Sequence, residues 1–598
     1  MPDNFATRRH SFNMQPFRPT PGSARDPFSG ADDVEVLRGL ASALSARTPA
    51  RELAAIQGST PERRDVTPAR LIGHLVSLDG MRGVISCRLE TGDEDWSVGH
   101  LITIVNRTSR VVGVVCEIAT ADGNWTDAGG NAARVTIEFY GEIVEEASGA
   151  PGFYRGIRSF PSLGAVTHKI RADDLRAIYS FRGRKGIQIG RLSQNDAISA
   201  DIDVNELIGR HFAVLGSTGV GKTTAVSLLL KKSVAAKPNL RIMVFDPHNE
   251  YAAHFPNLAQ VIDSDTLELP FWMFRFDELA DVVFSGRQPH PEERDALYEV
   301  IRVARAKYLT ETGSTSANNG LRRQPAAESV PVTSDTPTPY RIIDALAAIE
   351  DWLGKLDQRF SRTDLRALRF RLEALNRDPR FRFMFGRPVV EDDIGKVISR
   401  LFRIPMRGLP ITIVRLAGLP NEVVNSVVSV IARLAFEIAF FSSGSFEITV
   451  LCEEAHRYVP AGQGQAFAPA RLAIGRIAKE GRKYGASLGV VSQRPSELDA
   501  TVLSQCSTVF AMRLANEIDK GIIRAAAGVS AGSAITFLSS MADREAIAFG
   551  EAIPTPMRMK FADILDEGYG SPPPDLGQRD TRPIDLRKLS SQLRGEAA

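Results

Sequence analysis

One eight-residue segment, Gly216-Ser217-Thr218-Gly219-Val220-Gly221-Lys222-Thr223, constrains this chain more than any other. Its spacing, G-x-x-x-x-G-K-[ST], is that of a loop whose backbone N–H groups converge on a polyphosphate, an approach that a Cβ at the glycine positions would obstruct. An apolar run, His211 to Leu215, leads into it, and a helix-like run, Thr224 to Lys231, leads out. The helix N-terminus thus adds partial positive charge where the phosphates would lie. Strand, loop and helix in succession predict an α/β sheet that binds ATP, with Lys222 reaching the β- and γ-phosphates, Thr223 holding Mg²⁺, and Thr224 opening the helix.

At 598 residues the chain has material for two or three domains. Its 73 basic and 71 acidic side chains balance, so a nucleic-acid site has to be a local patch rather than a property of the whole chain. Cys87, Cys116, Cys452 and Cys506 lie far apart and form no C-x-x-C pair, which speaks against a disulfide framework or a zinc site and for a reduced, cytoplasmic setting. The most apolar long stretch, Val423 to Phe441, contains Asn425, Arg433 and Glu437 and reads as a buried helix rather than a membrane span.

Along the chain, residues 1–66 read as a disordered basic arm with one short helix at Val34 to Ala46. Residues 67–160 carry five or so short β-rich runs broken by Gly, Asp and Asn, the pattern of a small barrel that either binds nucleic acid or staples subunits together. Without an aromatic and basic stripe the stapling role is preferred. The α/β core comes in two parts, 161–276 and 406–553, around a helical insertion at 277–405. Inside the insertion, 310–339 is rich in Ser, Thr, Asn, Gly and Pro and predicts a mobile loop without a core. Arginines between Arg359 and Arg387 make either a nucleic-acid or intersubunit surface, or an ordinary solvated helix face. Residues 554–598 read as a C-terminal tail, with a short strand possible at Met557 to Phe561.

Three further places carry chemistry. The strand Arg241 to Phe245 ends in Asp246-Pro-His-Asn-Glu250, where Asp246 or Glu250 either orders Mg²⁺ or the attacking water, or caps a turn. Phe446 to Cys452 runs into Glu453-Glu454: an apolar strand delivers two acids beside the nucleotide, with Glu453 suited to a Mg²⁺-water contact and Glu454 to polarising the attacking water. Gln493 ends the strand Ala486 to Ser492, where either a γ-phosphate sensor or a capping amide belongs.

Taken in order, Gly216 to Thr224, Phe245-Asp-Pro-His-Asn-Glu-Tyr251, Cys452-Glu-Glu-Ala-His-Arg-Tyr458, Lys479-Glu-Gly-Arg-Lys-Tyr-Gly485 and Ser492-Gln-Arg-Pro-Ser-Glu497 resemble the HerA family of the HerA/FtsK ATPases. The resemblance implies a RecA-like motor behind a HerA-ATP-synthase-type barrel, a homohexamer that translocates double-stranded DNA, and a C-terminal segment laid over a neighbouring subunit. It also implies an effector partner, such as a NurA-type nuclease in DNA-end processing or a sirtuin-like protein in antiphage defence. Arg482, in the basic block that matches the family and beside Gly481, is the first candidate for an arginine supplied to a neighbour's active site, ahead of Arg476 and Arg494. The alternatives are an ATP-dependent scaffold that barely translocates and a coupling ATPase of conjugation or secretion.

Overall fold

The computed structural model describes residues 71–594 except 90–95, 128–129, 147–149, 182, 286, 288, 318–332, 356–358, 387–393, 463–467, 528–533 and 564–583. The expected arm and its short helix lie outside the described residues.

Alternating apolar residues at the start of the described chain form a barrel: β1 (Leu71–Asp79), β2 (Arg82–Leu89), β3 (Leu101–Asn106), β4 (Ser109–Thr120), β5 (Asn131–Glu145), β6 (Pro151–Arg155) and β7 (Val166–Lys169). The strand order is β2-β1-β7-β3-β4-β5-β6, and β5 also pairs with β2, so six strands close and β6 adds to the outside of β5. Inward side chains such as Leu75, Ile85, Ile104, Val111, Val135 and Ile137 fill the centre. The barrel extends past the expected boundary at 160. Its closing strand β7 joins β1 to β3 but is only four residues, Val-Thr-His-Lys, too short to show an apolar period.

The second sheet has eleven strands: β8 (Ile187–Leu192), β9 (Asn195–Ile202), β10 (His211–Leu215), β11 (Leu240–Asp246), β12 (Ala259–Ile262), β13 (Ile411–Arg415), β14 (Glu447–Cys452), β15 (Ala486–Ser492), β16 (Cys506–Ala511), β17 (Glu545–Gly550) and β18 (Met557–Phe561). Their order is β12-β13-β11-β14-β15-β10-β16-β17-β18-β8-β9. The seven strands from β12 to β16 pair in parallel, and the remaining four extend the sheet antiparallel. Continuous apolar runs such as Phe-Ala-Val-Leu in β10 are what a strand covered on both faces requires. The sheet therefore runs to Phe561, and 554–561 belongs to the core rather than to a tail. The chain's end is not wholly extended either: Leu586–Arg594 is a helix that buries Leu589.

One face of the sheet shares its core with the insertion. Leu297, Ile349 and Leu368 pack in the same cluster as Met243, Phe245 and Val450. At about 1.5–3 kcal/mol for each large apolar side chain buried, this shared core makes the insertion an integral layer. The helix Asn421–Phe441 lies in it. By length and composition it is the one described helix able to cross a membrane, yet 78% of its most apolar window is buried inside the protein. Its Arg433 donates to the buried Glu278 at 2.9 Å, which also accepts from Ser429 Oγ at 2.8 Å.

The expected loop at 310–339 is narrower than its composition predicts. Residues 310–317 continue the helix Pro291–Ala317. At the far end Ser334 is buried, Asp335 accepts from the Phe276 N–H at 2.8 Å, and Arg305 donates to the Thr333 carbonyl at 2.9 Å. Short polar side chains are held there by hydrogen bonds rather than by apolar area, which composition does not register. The middle of the segment, 318–332, lies outside the described residues.

The arginines of 359–380 are largely spent on intramolecular ion pairs: Arg369 with Glu350 and Glu373, Arg371 with Glu293, Arg377 with Glu373, and Arg380 with Asp378. That is the solvated, self-paired face rather than a vacant cationic surface.

Candidate nucleotide site

The site is assembled at the C-terminal ends of β10, β11, β14 and β15. After β10 the chain turns through Gly219 (φ 79) and Gly221 (φ 93), left-handed conformations that glycine adopts without strain, and enters the helix Lys222–Ala236. The loop is pinned from behind. Ser217 N–H and Oγ both donate to the Arg513 carbonyl (2.9 and 3.0 Å), and the Val220 carbonyl accepts from Arg544 N–H at 2.9 Å. A Cβ on Gly221 would come within 2.9 Å of the Arg544 side chain, so this glycine also permits a close approach. Sequence reasoning passed over Arg513 and Arg544, because what they bring to the loop is mostly backbone.

Lys222 is buried, and its Nζ donates to the Ser217 carbonyl at 2.9 Å across the loop. Burial pulls its pKa down, while Glu453, Glu454 and Glu250 oppose that shift. Thr223 Oγ1 donates to Glu250 Oε2 at 2.6 Å. Of the two acids after β11, Glu250 is thus the one beside Thr223, the residue expected to hold Mg²⁺. Asp246 is fully buried and committed: Oδ1 accepts from the N–H groups of His248 and Glu250 (3.2 Å each), and Oδ2 from Tyr251 (3.1 Å). The metal role expected of Asp246 conflicts with this geometry, which is that of the capped turn.

Glu453 and Glu454 follow β14, both nearly buried. Tyr251 Oη donates to Glu453 Oε2, and burial, aided by the charge of Glu454, raises the Glu453 pKa to about 7 despite that bond and Lys222. Tyr251 is a site residue to which the sequence reading gave no role; its signal was its place at the end of the Phe245 to Tyr251 segment that carries the family resemblance. Glu454 sits at φ 50, left-handed for a non-glycine residue. Its Oε1 accepts from Gln493 Nε2 at 2.7 Å, and the other end of that amide, Oε1, accepts from Thr218 Oγ1. Its Oε2 is buried without a hydrogen-bond partner, 3.4 Å from Nδ1 of His456, a ring whose pKa burial lowers. A chain of side chains, Thr218–Gln493–Glu454, therefore runs from the phosphate loop to the acid.

Arg482 lies elsewhere in its own chain. It precedes β15, at the N-terminal ends of the strands, where its charge acts on His211 at the start of β10. It is exposed and, among the described residues, has no ion-pair partner: Glu480 pairs with Arg476, and Asp499 with Arg471. Arg476 stacks on Phe436 and Arg494 pairs with Glu497, so both weaker candidates are already engaged.

The residues fit a Mg²⁺-bound nucleoside triphosphate. The left-handed glycines open the loop, the donors near Thr223 are hard oxygens, and the orphaned Glu454 Oε2 awaits a donor. No cluster of three or more His, Cys, Asp or Glu side chains able to hold a metal occurs among the described residues. Thr223 would thus hold the ion together with phosphate oxygens and water, the arrangement Mg²⁺ favours.

A parallel sheet with the phosphate loop after β10, the acid pair after β14 and a further strand, β15, between them defines a RecA-like P-loop NTPase. Residues 187–435 match the family model described as helicase HerA, central domain. Two relatives named DNA double-strand break repair helicase HerA are similar along most of their length. The one from Pyrococcus furiosus is 25% identical over 520 residues, covering 78% of this chain and 87% of the relative. The one from Saccharolobus solfataricus is 25% identical over 426 residues, covering 70% and 76%. Over its central part the chain is thus similar to the HerA family. Among solved structures, VirB4 of Thermoanaerobacter pseudethanolicus aligns with a TM-score of 0.45 at 16% identity, over 65% of this chain and 99% of that one. The plasmid coupling protein TrwB in complex with a non-hydrolysable GTP analogue aligns at 0.41 and 13%, over 66% and 93%.

Proposed function

We propose that this protein is a Mg²⁺-ATP-driven motor that moves double-stranded DNA through a homohexameric ring and serves an effector protein, with a NurA-type nuclease or a sirtuin-like protein as the kinds of effector the family resemblance implies. Bound Mg²⁺-ATP supplies the γ-phosphoryl electrophile and the cation that offsets its charge. The chain's own residues do the rest. The loop N–H groups and Lys222 bind the phosphates, Thr223 and the acids around it orient the ion, and Glu454 takes the proton of the attacking water. Gln493 holds Glu454 in register with Thr218. The Thr218–Gln493–Glu454 chain carries the reading, because a site that only binds nucleotide has no need of a buried acid wired to its phosphate loop. The names of the relatives, DNA double-strand break repair helicases, support DNA as the track. Arg482 is read as the cation donated to a neighbouring subunit, since the exposed edge that carries it is far from its own site.

The deciding experiment measures ATP turnover with and without duplex DNA, together with displacement of streptavidin from a biotinylated duplex. Stimulated turnover with displacement is expected. Unstimulated turnover without displacement would leave an ATP-dependent scaffold as the correct reading.

A further inference from the structure

Gln493 holds one oxygen of Glu454, and the other oxygen faces His456, on the single helical turn Ala455–Arg457 that follows the left-handed Glu454. The turn is firm. Ala455, Tyr458 and Val459 are fully buried, and the Ala455 carbonyl accepts from the N–H groups of Tyr458 (3.0 Å) and Val459 (2.9 Å). It holds Nδ1 of His456 3.4 Å from Glu454 Oε2 and 3.2 Å from Ser492 Oγ. Ser492, the last residue of β15, is fully buried, and its carbonyl accepts from the Gly216 N–H of the phosphate loop at 3.2 Å. Two branches therefore reach from the loop to the two oxygens of one carboxylate: Thr218–Gln493 to Oε1, and Gly216–Ser492–His456 to Oε2.

The branches differ in their hydrogens. Gln493 Nε2 donates to Oε1. On the other branch, Ser492 Oγ accepts from the Arg494 N–H at 3.0 Å, which leaves its own hydrogen for Nδ1. Nδ1 of the neutral ring then carries none. No hydrogen stands between it and Oε2, which is why that oxygen has no partner among the described residues. The surroundings keep the ring neutral: burial foremost lowers its pKa, with Arg494 and Arg457 acting in the same direction and Glu454 and Glu497 against. A carboxylate oxygen without a donor, facing a lone pair, is the more basic for it, and a proton placed on it would satisfy both atoms at once. The ring is also nearer to solvent, with its side chain 14% exposed against 7% for Glu454.

We propose that His456 draws off the proton that Glu454 takes from the attacking water, and so returns Glu454 to its charged form for the next turnover; the inference rests on the reading of Glu454 as that base. Glu454 accepts the proton on Oε2 while the water oxygen bonds to the γ-phosphorus and the bond to the leaving β-phosphate oxygen breaks, its electron pair going with that oxygen. The Oε2 proton then crosses to Nδ1, and the imidazolium releases a proton to solvent, one for each water consumed. His456 acts through Glu454 and is in this sense a positioning residue.

The test measures ATP turnover by the full chain carrying His456→Ala or His456→Asn, with the affinity for a fluorescent ATP analogue measured separately. Both variants are expected to bind nucleotide as the wild type does and to turn over roughly 10- to 100-fold more slowly, at or below the lower end of what a positioned acid or base supplies. Added imidazole should restore part of the His456→Ala rate, increasingly as pH rises through about 6.5, because only a neutral ring takes up a proton. His456→Asn puts an amide where Nδ1 stood and can still meet Ser492 Oγ, yet it accepts no proton. Wild-type turnover in that variant would reduce His456 to a structural contact and overturn the proposal, as would a slow His456→Ala that imidazole does not rescue. Should His456→Ala melt early, His456→Asn must by itself be slow with nucleotide affinity retained. Wild-type turnover by Glu454→Gln would overturn base and relay together, whereas a slow Glu454→Gln beside a fast His456→Ala overturns the relay alone.

Discussion

Glu454 occupies a backbone conformation that costs a non-glycine residue roughly 1–3 kcal/mol, with one carboxylate oxygen bonded to Gln493 and the other unsatisfied. The role of base proposed for Glu454 should be separable from nucleotide affinity. Glu454→Gln is expected to bind Mg²⁺-ATP at near wild-type strength and hydrolyse it at least ~100-fold more slowly, the lower end of a general-base contribution, in single-turnover assays. Wild-type hydrolysis would move the base to Glu453 or Glu250. Gln493→Ala should lower kcat with little change in KM, because it removes the donor that aligns Glu454, while the loop loses only the Thr218 bond and keeps its anchors to Arg513 and Arg544; a change confined to KM would show that Gln493 only binds nucleotide. At this scale much was legible. The glycine spacing and the acid pair stand in sequence because chemistry fixes residue types at short separations. Asp246 was ambiguous because an acid after a strand suits a metal and a turn equally, and only its three N–H donors separate the two.

Among the elements, β15 is the strand on which the site depends, lying between the phosphate-loop strand and the acid strand. His211, at the start of β10, accepts from the Leu488 N–H of β15 through Nδ1 at 3.0 Å, which requires a neutral ring, and burial foremost lowers its pKa from the usual 6.5. A depressed folded-state pKa means that the unfolded chain takes up the proton first as pH falls. The stability this histidine contributes is therefore complete above about pH 6.5 and is lost as pH falls through the lower folded value. His211→Gln is expected to flatten the acid limb of Tm measured between about pH 6.5 and 5; an unaltered limb would assign the acid sensitivity to other groups, His254 and His456 among them. The central parallel strands, such as β10, β11 and β14, could be read from their apolar runs, which are buried on both faces; the edge strand β12, only half-buried, could not. Of the antiparallel extension, β18 was legible as the short strand at Met557 to Phe561, whereas β17, β9 and, in the barrel, β7 were not, because their place is set by pairing partners distant in sequence.

For the whole molecule, the distance between Arg482 and its own nucleotide site becomes meaningful only in a ring. Arg482→Ala is expected to assemble and bind ATP but to turn over slowly, within the ~10³–10⁵ range that such an arginine contributes. Mixing it with Glu454→Gln should restore part of the activity at interfaces that combine an intact Glu454 with an intact Arg482. Full activity of Arg482→Ala alone would reject the role, and an inactive mixture would mean action within one chain or a need for every site to fire.

The barrel is fastened to the last hairpin of the sheet. Tyr140 Oη donates to the Pro556 carbonyl, and Arg155 donates to the carbonyls of Ile553 (2.9 Å) and Pro554 (2.7 Å). The other end of β17 begins at Glu545, next to the Arg544 whose N–H holds the Val220 carbonyl of the phosphate loop. A single six-residue strand, about 20 Å long, is thus a rod with the nucleotide loop at one end and the barrel at the other. If the loop shifts when phosphate enters or leaves, the rod carries that displacement to the barrel. By the reciprocity of linkage, a protein that clasps the barrel and changes nucleotide affinity by some factor must find its own hold on the barrel changed by the same factor.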